Sequence, residues 1–213
     1  MKIVCIVQAR IGSKRLPAKV LLPLPNRLSV LEQVLEKCRK IRGVDEFVCA
    51  IPNTDENLLL LPFIERSGWR TMVGPEHDVL ERYRLAAKQS SADVVLRVTA
   101  DCPLIAPDVC EDLLRMIRKL DVGYVSNAWP ARSYPHGHDC EAFTSDTLRR
   151  AAKSAVSAHD REHVCPWMQR DPGTKRAFLK SMQDRSGERL TLDTLEDYVR
   201  IWNVMQNEID AGI

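Results

Sequence analysis

Short apolar, β-branched runs alternate with amphipathic stretches of helical spacing along most of this chain, and that alternation restricts its fold more than any other feature. Residues 3–7, 47–51, 69–73 and 93–99 are too short for buried helices, and their apolar, Val- and Ile-containing make-up suits buried strands of a mainly parallel sheet. Between them, Ser29 and Glu32 mark the start of a helix whose apolar Leu31, Val34, Leu35 and Cys38 share a face, with Gly43 past its end. Thr54 or Asp55 caps a second helix that reaches Ser67, and a third covers 79–88. A fourth, amphipathic, occupies 109–119. This order builds βαβ units, in which ligands collect at the carboxyl ends of the strands.

Beyond that helix the pattern loosens. Residues 122–126 read as a strand, 145–152 as a helix, the stretch from a Ser157 or Asp160 cap to Gln169 as another, and 176–182 as a late strand. Thr194, with Asp197 in capping-box position, opens a last helix that runs to Glu208. Between 127 and 143 the rhythm gives way to prolines, a glycine, aromatic residues and a dense polar set, which marks a structured functional loop.

A chain of 213 residues, 45% hydrophobic and 28% charged, suits one ordinary globular core. A net charge of +2 gives no support to nucleic-acid or membrane-surface binding, so any basic focus is local. No apolar run approaches a membrane span, and Gln8 and Arg10 interrupt the opening run before it could act as a signal core, so the expected compartment is the cytoplasm. Seven cysteines without a Cys-x-x-Cys pair read as buried, reduced hydrophobes.

The basic focus follows the first strand: Arg10, Lys14, Arg15 and Lys19 crowd a loop where Gly12 permits close backbone approach, Ser13 adds a hydroxyl and Pro17 stiffens the exit. Phosphate oxygens are the natural ligand of such a lip, a solvated surface loop being the alternative. It lacks the ending of a Walker loop and the glycines of a dinucleotide fingerprint. Asp101, at the tip of the 93–99 strand, suits a magnesium ion that also takes phosphate oxygens, or else caps the following turn. Asp193 stands just before a helix start and is free to point outward. Asp139 and Glu141 would share one face of a strand, open to a ligand's hydroxyls or to pairing with Arg132 or Arg161. Asp78 is explained by helix capping. His136, His138, His159 and His163 invite zinc, but no thiol pair is spaced to join them.

Ala9-Arg10-x-Gly12-Ser13-x-Arg15-x-Pro17-x-Lys19 resembles the signature of the cytidylyltransferases that activate acidic sugars, the acylneuraminate and 3-deoxy-octulosonate enzymes. Asp101-x-Pro103-Leu104-Ile105, Tyr134-Pro135-x-Gly137-x-Asp139-x-Glu141, Asp160-Arg161-Glu162-His163-Val164 and Asp193-Thr194-x-Glu196-Asp197 carry the likeness further. As a whole the chain is most similar to the spore coat polysaccharide biosynthesis protein F branch. The resemblance implies a three-layer α/β/α, Rossmann-like nucleotide-diphospho-sugar transferase fold with a mainly parallel mixed sheet. It implies one nucleotidyltransferase domain over 1–213, with 127–170 as an acceptor-binding and dimerisation insertion. It also implies that Ala9, Arg10, Gly12, Ser13, Arg15 and Lys19 bind CTP, that Asp78 lies near the base, and that Asp101 and Asp193 share Mg2+. Asp139, Glu141, Arg161 and His163 would then meet an acidic sugar acceptor. Arg10, Lys19 and Asp101 would carry the catalysis in a homodimer. Ala100 replaces the family's usual Gly, and His138 its usual apolar residue. A sugar phosphate or a phosphonate is left open as the acceptor of such a nucleotidyltransferase, and a glycosyltransferase on a similar scaffold is the competing reading, weakened by the lack of an Asp-x-Asp pair at a strand end. A nucleotide sensor without turnover is a second, which would not need two metal carboxylates.

Overall fold

β1 (Ile3–Gln8) runs through the middle of a seven-stranded sheet and is buried everywhere except at Gln8. The computed structural model describes residues 1–212. β2 (Glu46–Pro52) and β4 (Val94–Thr99) flank β1 in parallel, and β3 (Arg70–Gly74) lies parallel to β2 at one edge. On the other side, β6 (Glu141–Thr144) pairs antiparallel with both β4 and β5 (Tyr124–Ser126), and β7 (Arg176–Phe178) closes the sheet parallel to β5. The order is β3-β2-β1-β4-β6-β5-β7. The expected three-layer α/β/α fold with a mainly parallel mixed sheet is therefore what forms.

Strand alternation divides the core between the two faces. Ile3, Cys5 and Val7 pack against α1 (Val30–Arg39), α3 (Leu61–Arg66) and α5 (Pro107–Lys119). Val4 and Ile6 pack instead beneath α4 (Val79–Gln89), α6 (Ser145–Ser154) and α8 (Pro166–Arg170). A third, smaller apolar cluster stands apart: Ile201 and Met205 of α9 (Leu195–Asp210) meet Leu24, Val30, Leu104 and Leu192. All seven cysteines are buried and unpaired. No helix among the described residues is long and apolar enough to cross a membrane.

Two expected helices are broken in two. Leu59 and Leu60 separate α2 (Asp55–Leu58) from α3, whose second residue Pro62 has no amide hydrogen to continue the ladder. Similarly, α7 (Ala158–His163) stops where Val164 takes a φ of 70°, and Pro166 opens α8. The late strand is confined to Arg176–Phe178, and the stretch read as a structured loop runs into β6, which takes in Glu141 but not Asp139.

Candidate active site

The carboxyl ends of β1 and β4 open into a cavity of about 720 Å³. Ala9, Arg10, Gly12, Ser13, Lys14, Arg15 and Lys19 line one side. Their loop is held from within: the Ile11 carbonyl accepts from the Ser13 amide at 2.8 Å and the Ala18 amide at 3.2 Å. The Ile11 amide donates to Asn57 Oδ1 at 2.8 Å, and Thr54, the cap of α2, accepts from Asn57 Nδ2 at 2.7 Å. Ala18 takes a left-handed φ of 54°, after which a single 3-10 turn, Lys19–Leu21, sends Lys19 inward.

Lys19 is 9% exposed, and its Nζ donates to Asp101 Oδ2 at 3.0 Å, Asp193 Oδ1 at 3.0 Å and the Leu192 carbonyl at 2.6 Å. The two carboxylates, remote in sequence, meet because the Leu192 amide donates to the Asp101 carbonyl at 2.8 Å. Thr191 Oγ1 donates to the same carbonyl at 3.3 Å. Asp197, in the capping box of α9, accepts from the Asp193 and Thr194 amides, both at 3.1 Å. Burial would raise the Asp193 carboxyl, but the hydrogen bond and charge of Lys19, with Arg15 and Arg189, outweigh it and hold it below the usual carboxylate value.

Each oxygen of the pair has a partner. Thr99 Oγ1 donates to Asp101 Oδ1 at 2.6 Å, Arg15 lies 2.8 Å from Asp193 Oδ1, and Arg189 Nη2 donates to Asp193 Oδ2 at 2.9 Å. Among the described residues, no group of three or more His, Cys, Asp or Glu side chains could hold a metal ion. Two carboxylates beside a cationic loop would suit a divalent ion that completes its shell with phosphate oxygens, not one caged by protein alone.

The opposite wall carries Glu76, His77, Glu162 and His163, and Gln8, Arg97 and Thr99 form the floor. Arg10 spans the mouth to Glu162 at 3.6 Å. Burial, with the nearby charges of His159, Arg97 and Arg10, lowers the His163 pKa from its ordinary value.

Four expected ligand-binding residues lie outside the cavity lining. Asp78 caps α4, accepting from the Glu81 amide at 2.9 Å, and pairs with Arg161 Nε at 2.9 Å. Arg161 in turn donates to the Ala152 carbonyl at 2.7 Å, so the pair clasps α7 to α4 and neither side chain faces the cavity. Asp139 pairs with Arg132. Glu141 points into the core, where Arg97 Nη1 donates to it at 2.5 Å and the Tyr124 hydroxyl at 3.4 Å. Sequence reasoning gave no site role to Glu76, His77, Arg97 or Glu162. The visible signal for Arg97 was a lone cation inside an apolar strand.

Enzymes that transfer nucleotidyl groups define the class to which this sandwich and its strand-end cavity correspond. The sequence model of the cytidylyltransferase family matches residues 4–211, and the chain belongs to that family. It is 34% identical over 213 residues to the uncharacterized protein MJ1063 of Methanocaldococcus jannaschii, covering 99% of this chain and 85% of that one. It is 29% identical to the spore coat polysaccharide biosynthesis protein SpsF of Bacillus subtilis, over 93% of this chain and 84% of the relative. The solved structure of a cytidylyltransferase from Leptospira borgpetersenii superposes with a TM-score of 0.89 at 27% identity, covering 95% of this chain and 85% of that one.

Proposed function

We propose that this protein transfers CMP from CTP to a hydroxyl of an acidic sugar, of the octulosonic or nonulosonic acid type, and releases pyrophosphate, in the biosynthesis of a surface polysaccharide. The observation that carries this reading is the convergence of Asp101 and Asp193 on Lys19 beside the cationic loop. The similarity to SpsF supports a place in the polysaccharide-forming branch of the family.

In the reaction, an acceptor oxygen attacks the α-phosphorus in line, the bond from that phosphorus to the bridging oxygen breaks, and pyrophosphate leaves. The acceptor hydroxyl gives up its proton as the new bond forms. Charge neutralisation and positioning supply most of the acceleration. Arg10, Ser13 and Arg15 face the phosphates, with Gly12 and Ala9 letting the backbone approach. Asp101 and Asp193 would hold Mg2+, which when bound supplies neutralisation of phosphate charge. His163, on the far wall, faces the acceptor side of the cavity. The stretch 127–170 contributes that wall through α7, and in this reading it also supports a cytoplasmic homodimer.

Pyrophosphate release from CTP with a panel of acidic sugars tests the proposal. Asp101→Ala and Arg15→Ala are expected to fold and to lose roughly 10²–10³ in kcat, the range seen when a charge-stabilising group is removed. Normal turnover by Asp101→Ala would show that the carboxylate pair is not the reaction centre.

A further inference from the structure

Lys19 occupies the position between the two carboxylates where a divalent cation would have to sit. Its ammonium takes one oxygen from each acid and the Leu192 carbonyl besides, and it is 9% exposed, so it is no loosely held surface charge. The remaining oxygens are also engaged, Asp101 Oδ1 by Thr99 and Asp193 Oδ2 by Arg189. Lys19 also lines the cavity beside Arg15 and Ser13, where a triphosphate would lie. A four-carbon stem with a compact charge can exchange partners within such a space, whereas two unpaired carboxylates this close would repel each other.

We infer that Lys19 is an internal placeholder cation: it holds Asp101 and Asp193 together while the nucleotide is absent, and it gives up the carboxylates to a divalent ion only when phosphate oxygens are there to receive its ammonium. The inference rests on the proposed roles of Asp101 and Asp193 and adds an order of events to them. Metal and nucleotide bind as a linked pair, and free metal is refused. Linkage is reciprocal, so the metal raises the affinity for CTP by the same factor that CTP raises the affinity for the metal.

Manganese provides a probe that does not depend on turnover, because its electron paramagnetic resonance signal falls on binding. Wild-type protein titrated with Mn2+ alone is expected to show at least about tenfold weaker binding than in the presence of CTP without acceptor, a difference of about 1.4 kcal/mol. Lys19→Met, with no ammonium to displace, is expected to bind Mn2+ without nucleotide at least about tenfold more tightly than wild type, and Mn2+ should raise its melting temperature. Lys19→Met/Asp101→Asn should lose that gain. Equal Mn2+ affinity of the wild type with and without CTP overturns the inference, and so does a folded Lys19→Met variant that binds no better than wild type. If Lys19→Met does not fold, Lys19→Gln, which keeps a polar stem without the charge, takes its place in the comparison. CTP binding measured by calorimetry separates the two ideas: absence of any CTP binding removes the proposed function, whereas CTP binding without metal linkage removes only the placeholder.

Discussion

Glu141 and Asp139 are two residues apart, and their surroundings give them unlike weights. Glu141 and Arg97 are 11% and 16% exposed at their side chains, so removing the acid strands a guanidinium inside the sheet. Glu141→Ala is expected to cost about 3–5 kcal/mol in chemical denaturation. Asp139→Ala, which breaks a more exposed pair with Arg132, should cost about 0–1 kcal/mol. Equal losses would mean that burial is not what separates them. Acid behaviour follows from Asp193 and Asp197. Burial works against both, yet Lys19 and Arg15 for the first, and Arg189, Arg200 and the helix-start amides for the second, hold their carboxyls below the ordinary value. A carboxyl whose folded pKa is depressed adds stability above its unfolded value, near pH 4, and that stability is lost as the pH falls through the folded value. Unfolding free energy should therefore drop steeply below about pH 4, and Asp197→Asn should flatten that limb of the profile. The sequence made Asp101 visible at the tip of an apolar run and Asp193 just before a helix start, and the family resemblance singles out both. It could not show that Lys19 stands between them, since that contact joins segments from opposite ends of the chain.

Helices α4 and α7 are joined by one acid with two tasks. Asp78 both caps α4 and receives Arg161 from α7. Asp78→Ala should cost about 1–2 kcal/mol for the cap alone and loosen the wall that carries Glu162 and His163. The expected kinetic result is a raised KM for the acceptor with CTP affinity unchanged. A selective loss of CTP affinity would instead restore Asp78 to the base. The long strands and capped helices were legible from periodicity and from Ser29, Thr54 and Thr194. β6 was not, because four residues including a buried Glu141 present no apolar alternation until Arg97 is known to lie beside them. The helix breaks at Pro62 and Pro166 were readable in principle: a proline in a helical run marks a boundary, and apolar spacing alone hides it.

Across the whole molecule, burial is the leading cause that lowers the pKa values of His136, His138 and His163. A histidine whose folded pKa lies below its unfolded value, about 6.5, stabilises the fold above that pH and loses the contribution as the pH falls toward the folded value. The melting temperature should decline between about pH 7 and 5, before the carboxylates titrate, and His138→Asn should blunt the decline. A flat profile there would show that these rings protonate freely in the folded state. The small cluster of Leu24, Val30, Leu104, Leu192, Ile201 and Met205 has a broader consequence. It joins the segments that carry Lys19, Asp101 and Asp193, and apart from Val30 at the start of α1 it stands outside both layers that cover the main sheet. If the proposed roles of those three residues hold, the reaction depends on a cluster much smaller than the two that stabilise the sheet. Gentle warming, or Met205→Ala, should silence the protein while its sheet remains intact, so that loss of function runs ahead of the cooperative melt.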